Sequence, residues 1–404
     1  MEVRARSVAR VGQLVLLVGL VCCGRPGKPL APEVRDSLGI EIVEHPALSV
    51  DSAGEWQLSN EPILSIGAAD GAEEYQLYNV VSAQLIGSAR IAVAMGFSNR
   101  IRFYDLDGTY VASVGEEGGG PGEFKTIMGV WRLRADSIGV FDFGNARLTV
   151  LTDQGQLGRV NRFEQVPDRP LPLPVGPFSD GTFLGRAHML GTEAGRPEGV
   201  HRGLVEFVRW SPTGELLDSL AVRPDAERYY GEIDGRPTMA SPPFSREFSV
   251  AVSGDQWYYG SMSAYEIEVY SAQGSLIRLI RRSGSSRPVT LEMKEAWQRS
   301  ARERWSQLPA AALAWRLALP FPETLPAHGD LVVDDLGNLW VAEYGLPTEP
   351  QRWAVYGPGG LLLGRVATPP DGTVTHIGAD FVLGVWRDDL GVERVRMYRL
   401  IRAG

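Results

Sequence analysis

Apolar and polar residues alternate in short runs along most of the chain, and many of these runs end at a glycine turn. The sequence reads R-I-R-F-Y-D-L-D ahead of Gly108 and E-I-E-V-Y-S-A-Q ahead of Gly274, with the apolar positions in the same register. The runs ahead of Gly155 and Gly360 fit that register too. Period-two alternation indicates β-strands with one buried face. A strand–turn unit repeated along a chain is typical of radial or stacked β architectures.

The repeat predicts an all-β fold, a six-bladed β-propeller with up to four strands in each blade. The last blade has only three strands before the chain ends, and a spare strand at 56–67 precedes the first blade. Pairing these two segments would close the ring and remove an exposed sheet edge. We therefore expect the N-terminal strand to complete the last blade. The six predicted blades span residues 80–114, 129–162, 173–222, 248–281, 330–367 and 374–400.

One segment breaks the β pattern. Thr290 can cap a helix in which Met293, Trp297, Ala301 and Trp305 repeat at every fourth position. A second apolar stretch at 310–319 is also expected to be helical, and the prolines at 320 and 322 end it. We predict a small helical insertion at about 287–320, between blades four and five.

The N-terminus has the pattern of a bacterial lipoprotein signal. Three arginines precede an apolar run at 11–21 that is too short to span a bilayer, and Cys22 and Cys23 follow it. We expect a signal peptide at 1–22, lipidation of Cys23, a tether at 23–54 and the propeller at 55–404. The alternative is an ordinary secretory signal with incidental cysteines. Lipidation predicts a lipid-anchored protein of the bacterial cell envelope, periplasmic or on the outer-membrane surface.

Composition narrows the choice of partners. The formal net charge is -9, which disfavours nucleic acid and broad adhesion to anionic lipid. Forty-seven glycines and 27 prolines suit many short strands joined by tight turns. The two cysteines both lie in the signal region, so the folded part is expected to contain no disulfide. We expect a monomer that contacts the membrane through its lipid and binds no nucleic acid.

The segment from Arg100 to Gly155 resembles an NHL-type repeat. The resemblance rests on R-I-R-F-Y-D at 100–105, on G-G-G-P-G-E-F at 118–124, and on V-F-D and N-A-R-L at 140–142 and 145–148. The whole chain looks similar to six-bladed propeller lipoproteins of bacteria that have no assigned activity. NHL-like propellers include protein-binding platforms, RNA-binding modules, and lyases or lactonases with an axial metal. The resemblance thus implies the fold more than any chemistry.

The long insertions all fall in connections that emerge on one face. They occupy residues 188–203, 224–246, 282–329 and 344–351, over blades three to five, whereas the other connections are short. Insertions on one face of a repeat protein usually mark its working surface, although they can also merely shield the channel. The candidate ligand-binding residues at this mouth are Asp142, Arg186, His188, Tyr229, Tyr230, Glu343, Tyr344 and Arg387.

No catalytic signature accompanies this face. The sequence contains no P-loop and no H-E-x-x-H, and its five histidines lack ligand spacing. We therefore expect a non-catalytic binding or scaffold protein without a cofactor, which recognises a protein, peptide or glycan on its loop-rich face. The alternative is a lactonase or lyase that uses a divalent cation such as Ca²⁺ at the channel mouth. Asp142 could instead brace the Asn145 turn, and Glu343 could pair with an arginine.

Overall fold

Short β-strands account for most of the structured residues of the chain. The computed structural model describes residues 31–47, 54–87, 89–133, 136–165, 170–189, 196–284, 287–346 and 349–402. These residues form six mainly antiparallel sheets and two α-helices in a propeller-like fold. The predicted signal peptide and Cys23 lie outside the described residues.

Five short N-terminal strands precede the first sheet. Their bounds are β1 (Glu33–Ser37), β2 (Ile40–His45), β3 (Gly54–Glu55), β4 (Gln57–Leu58) and β5 (Leu64–Ile66).

Sheets 1 and 2 have four strands each and follow the prediction closely. Sheet 1 contains β6 (Val80–Ile86), β7 (Arg90–Met95), β8 (Arg100–Asp105) and β9 (Tyr110–Val114). Sheet 2 contains β10 (Ile127–Arg132), β11 (Ser137–Asp142), β12 (Arg147–Thr152) and β13 (Leu157–Arg162).

Sheet 3 is longer than expected. It contains β14 (Leu173–Pro177), β15 (Phe183–Met189), β16 (Gly199–Trp210), β17 (Leu216–Ile233) and β18 (Arg236–Ala240). Most of segment 224–246, predicted as a loop, is thus strand, because β16 and β17 remain paired as far as Gly199 and Tyr230. In segment 188–203, also predicted as a loop, residues 188–189 and 199–203 are strand, and residues 190–195 lie outside the described residues. The paired extension at 199–202 and 227–240 is called the β-arm below.

Sheet 4 precedes the two helices. It contains β19 (Ser249–Ser253), β20 (Gln256–Gly260), β21 (Glu266–Ser271) and β22 (Leu276–Arg282). The helices are α1 (Leu291–Arg304) and α2 (Ala310–Leu317). The Thr290 hydroxyl accepts a hydrogen bond from the Met293 N–H at 3.3 Å, so this residue caps α1 as expected. No helix among the described residues is long and apolar enough to cross a membrane.

Sheets 5 and 6 complete the series. Sheet 5 contains β23 (Leu331–Val333), β24 (Leu339–Ala342), β25 (Gln351–Tyr356) and β26 (Leu362–Thr368). Sheet 6 contains β27 (Gly372–Ile377), β28 (Phe381–Arg387) and β29 (Glu393–Ile401).

The N-terminal strands add to the last three sheets. Strands β4 and β5 pair antiparallel with β29, with Leu58 opposite Leu400 and Ile66 opposite Val395. Strand β3 pairs in parallel with β26, and β2 pairs in parallel with β22. Between β3 and β4, the Trp56 ring is buried 6.0 Å from the ring of Trp340. The segment expected to pair with the tail does so.

The region expected to be a tether needs a correction. Strands β1 and β2 form a hairpin that docks on the outer edge of sheet 4. Ile42 and Val43 are buried there, and the buried His45 ring donates a hydrogen bond from Nε2 to the Gly360 carbonyl at 2.8 Å. Burial of these side chains and pairing of the β2 backbone with β22 hold this part of the chain on the folded body.

Six buried apolar clusters lie between neighbouring sheets. They join sheets 1 and 2, 2 and 3, 3 and 4, 4 and 5, 5 and 6, and 6 and 1. Each sheet therefore packs on two others, and the alternating apolar positions of the sequence form these contacts. Typical members are Val93, Val140, Phe207, Ile267, Val341 and Leu383.

An ion pair links sheets that do not pack on each other. Arg132, the last residue of β10 in sheet 2, contacts Asp335, which follows β23 in sheet 5. His376 of sheet 6 lies 3.2 Å from the same carboxylate through Nε2. All three residues lie near the carboxyl ends of the first strands of their sheets. This contact, called the axial ion pair below, therefore joins the first strands of sheets 2, 5 and 6.

Candidate functional site

The connections expected on one face do meet at one end of the sheets. Leaving the second strand of sheet 1, Gly96 donates its N–H to the carbonyl of Asn79, just before the first strand. The N–H of Leu331, which begins sheet 5, donates to the Ser249 hydroxyl at the start of sheet 4 at 2.9 Å. The chain thus starts the first strand and leaves the second strand of each sheet at the same end. We call this the loop-bearing end.

A cavity of about 370 Å³ opens at the loop-bearing end between sheets 4 and 5. Its residues come just before the first strands and just after the second strands, which brings positions distant in sequence together. The side chains that line it are aromatic, acidic or otherwise polar, with one methionine. They belong to Phe244, Glu247, Phe248, Met262, Asp330, Glu343, Tyr344 and Gln351.

Two of the three carboxylates in this cavity are neutralised by arginines. Glu247 Oε1 lies 2.8 Å from Arg228 Nη1, and Glu343 Oε1 lies 3.4 Å from Arg282 Nη1. The Arg282 guanidinium also stacks over the Tyr265 ring, 3.8 Å from its centroid. The expected pairing of Glu343 with an arginine is therefore present.

The third carboxylate, Asp330, has no such partner. Its side chain forms no hydrogen bond or ion pair within the described residues, although its backbone carbonyl accepts from Ala342. The residue is exposed through the cavity, and partial desolvation by the neighbouring protein atoms raises the pKa of Asp330. Asp330 is therefore an uncompensated carboxyl group directed at the space that a ligand would fill.

The positively charged Arg186 lies next to Phe248. The Arg186 guanidinium is 5.3 Å from the centre of the Phe248 ring, and burial lowers the pKa of Arg186. His188, two residues further on, has Nδ1 at 2.6 Å from Asp225 Oδ2. Burial raises the pKa of Asp225, but its hydrogen bonds, the one with His188 foremost, outweigh that effect and hold the pKa below its ordinary value. Sheet 3 thus places both predicted residues beside the cavity.

A buried histidine supports the cavity from below. His328 is fully buried; its Nε2 accepts the N–H of Met262 at 3.3 Å, and its Nδ1 donates to the Gly329 carbonyl at 2.8 Å. Burial lowers the pKa of His328 to about 4. The imidazole is therefore neutral at physiological pH, and its two hydrogen bonds fix the backbone on both sides of the cavity.

The other predicted site residues lie elsewhere. Tyr229 and Tyr230 belong to the β-arm, where the Tyr229 ring packs 5.8 Å from Trp315 of α2. Arg387 pairs with Glu393 at 2.8 Å beside a second depression, between sheets 5 and 6, which adjoins the cavity at Gly345 and Gln351. Asp142 is fully buried in sheet 2. Of the eight candidates, Glu343 and Tyr344 line the cavity, and Arg186 and His188 stand next to it.

Asp142 acts as the brace that the sequence also allowed. Its Oδ1 accepts the N–H groups of Lys125 and Thr126 at 3.1 and 3.0 Å, and its Oδ2 accepts from Asn145 Nδ2 at 2.6 Å. With both oxygens engaged and no exposed surface, this carboxylate is not open to a ligand.

Sequence reasoning missed Asp330, Phe248 and Glu247 as cavity residues. Their shared signal is position, since each lies within a few residues of the start of a first strand. Within the ranges that the structure describes, no group of three or more His, Cys, Asp or Glu residues is arranged to hold a metal ion.

Comparison with known proteins supports the fold. A member of the DUF4221 family from Bacteroides vulgatus superposes with a TM-score of 0.52 at 12% identity, covering 87% of this chain and 100% of that one. A putative exported protein from Bacteroides fragilis gives 0.47 at 11% identity, covering 90% and 100%. Virginiamycin B lyase from Staphylococcus aureus gives 0.41 at 9% identity, covering 86% and 100%. No family model and no curated protein matches the chain. At 12% identity, the similarity to the Bacteroides vulgatus protein concerns the propeller-like fold alone.

Proposed function

We propose that this protein is a lipid-anchored, non-catalytic binding protein of the bacterial cell envelope, which holds a protein, peptide or glycan at its loop-bearing end. The proposed architecture is an NHL-like six-bladed propeller, closed where β4 and β5 pair with β29. The cavity between sheets 4 and 5 carries the proposal. Its aromatic walls and polar groups match what ligand sites usually provide, namely an apolar surface with a few oriented polar groups.

Binding can be tested with peptide and glycan arrays probed by the purified full-length protein. We expect a ligand whose binding falls at least tenfold in Tyr344→Ala, because that ring lines the cavity. Tyr78→Ala is the matched control, since Tyr78 is exposed just before the first strand of sheet 1. A ligand that responds equally to both variants, or no ligand at all, would argue against this site.

The competing enzymatic function predicts different results. A lactonase or lyase would hold a stoichiometric divalent ion in the purified protein and would turn over a lactone substrate. Metal analysis and a lactone panel measure both properties directly. A tightly held ion together with turnover that Glu343→Gln abolishes would replace the binding proposal.

The lipid anchor has its own test. We expect Cys23→Ala to move the protein from the membrane fraction to the soluble fraction, and globomycin to cause accumulation of the unprocessed form. Cys22→Ala is the matched control, because the proposed cleavage falls between the two cysteines. Unchanged membrane fractionation of Cys23→Ala would contradict lipidation.

A further inference from the structure

We propose that the cavity between sheets 4 and 5 recognises a positively charged amine, such as the ammonium group of a lysine side chain, and that Asp330 is the group that binds it. This inference rests on the binding function proposed above and specifies the ligand. It follows from the charge, the walls and the geometry of the cavity.

The charge of the cavity matches a single cation. Glu247 and Glu343 are already paired with Arg228 and Arg282, so Asp330 supplies the remaining negative charge of the lining. The positive charge of Arg186 is not part of the lining and lies beside the Phe248 ring, 5.3 Å from its centre. A carboxylate that is partly desolvated and unpaired is costly for the folded protein. A ligand ammonium at hydrogen-bond distance would compensate that charge, with a stronger interaction than the same pair would have in water.

The walls favour an organic cation with an alkyl chain. Phe244, Phe248 and Tyr344 line the same cavity as Asp330, and Met262 adds a flexible apolar side chain. Aromatic faces attract cations, and they also cover the methylene groups of a lysine side chain. The volume of about 370 Å³ is sufficient for such a side chain and part of its backbone.

The geometry distinguishes this ligand from a metal ion. A calcium ion takes six to eight oxygen ligands, whereas the described carboxylates and histidines form no group of three arranged around one point. An ammonium group needs only one carboxylate and the surrounding rings. Asp330, Glu247 and Glu343 can therefore share one cavity without forming a metal site.

Matched probes test the proposal. Nα-acetyl-lysine amide and Nα-acetyl-norleucine amide have similar side-chain shapes, and only the first carries an ammonium group. We expect the lysine probe to bind the full-length protein at least tenfold more tightly in NMR titrations at pH 8. Asp330→Asn should abolish that preference without weakening the norleucine probe. Asp330→Glu, which keeps the charge, should retain part of it.

Asp389→Asn provides the control for net charge. Asp389 is exposed at the second depression, between sheets 5 and 6, and does not line the cavity, so its substitution changes the protein charge equally and leaves the cavity lining intact. The preference for lysine should survive in this variant. It should also increase as the pH rises through the pKa of Asp330, because only the ionised carboxylate attracts the amine. Among the other titratable and charged groups around the cavity, Glu247 and Glu343 are paired, His328 is neutral, burial raises the pKa of Tyr344, and the Arg186 guanidinium lies beside Phe248.

Equal binding of the two probes, or a lysine preference that Asp330→Asn leaves intact, would overturn the inference. Thermal melting of each variant separates these outcomes from loss of the fold. If array ligands depend on Tyr344 while the lysine preference is absent, the binding function stands and the assignment of its ligand fails. If neither arrays nor probes give binding, both fail.

Discussion

Two parts of the loop-bearing end use their carboxylates in opposite ways. At sheet 2, Asp142 is fully buried, accepts three hydrogen bonds and lies 3.6 Å from Arg147 Nε. Between sheets 4 and 5, the Asp330 side chain is open to the cavity and has no hydrogen-bond or ion-pair partner among the described residues. The same residue type is thus fully compensated in one place and left uncompensated in another.

The contacts of Asp142 explain why a carboxylate stands at that position, whereas no contact among the described residues explains the charge of Asp330. Around Asp142, Arg147 donates to the carbonyls of Gly119 and Gly120 at 3.0 Å, and the buried Phe124 packs against sheets 1 and 2. The glycine-rich segment that resembles an NHL repeat is therefore explained by its own contacts. Asp330 has no comparable set of contacts, and the folded protein gains nothing from its charge. An unpaired carboxyl group with a raised pKa in a cleft is a candidate for a binding site.

The largest expected effect is on stability at sheet 2. Replacing Asp142 by Ala leaves the N–H groups of Lys125 and Thr126 without this acceptor and removes the buried carboxylate that lies 3.6 Å from Arg147 Nε. Loss of one partner from such a network costs about 3–5 kcal/mol. Chemical denaturation of the full-length protein would measure the free energy of unfolding. Asp330→Ala, assayed in parallel, is the matched control, and equal losses in both variants would remove the distinction between the two carboxylates.

Acid is expected to lower the stability of the folded protein by an intermediate amount, through protonation of His328. Burial lowers the pKa of His328 from 6.5 to about 4, so the folded state favours the neutral ring. The resulting stabilisation is fully present above pH 6.5 and is lost as the pH falls towards 4, a change of about 3 kcal/mol. Stability measured across this range should fall less steeply in His328→Gln than in the parent protein. If stability falls equally with pH in His328→Gln and in the parent protein, protonation of His328 does not cause the loss.

The smallest expected effect is a gain in stability when the charge of Asp330 is removed. Because burial raises the pKa of Asp330, its ionised form destabilises the folded state. The penalty is absent at low pH, where the group is protonated in both states, and develops as the pH rises through its folded pKa. Asp330→Asn should therefore raise Tm slightly at pH 8, with a smaller gain at pH 4.5. A lower Tm at pH 8 would show that the carboxylate contributes to the fold after all.

The sequence predicted most strands because their partners are close along the chain. Sheets 1 and 2 follow the alternating pattern and the glycine turns within one or two residues. The end of β17 was missed because Pro224 and Asp225 interrupt the pattern, and pairing with β16 holds the strand instead. The hairpin of β1 and β2 was missed because its partner, β22, lies far along the chain and β1 is fully exposed.

The candidate site was predicted only in part, for a related reason. Glu343 and Tyr344 were found because they follow a predicted second strand, at the face that collects the insertions. Asp330 and Phe248 were counted as the first residues of strands, whereas β23 and β19 begin one residue later, at Leu331 and Ser249. A shift of one residue moves a side chain from the sheet into the cavity. The absence of a partner for Asp330 depends on three-dimensional contacts, which alternation alone does not encode.

The axial ion pair ties sheet 2 to sheets 5 and 6. Arg132 and His376 both contact the Asp335 carboxylate, at the end far from the cavity. This link between sheets is therefore independent of the side chains at the loop-bearing end, so cavity variants leave it in place.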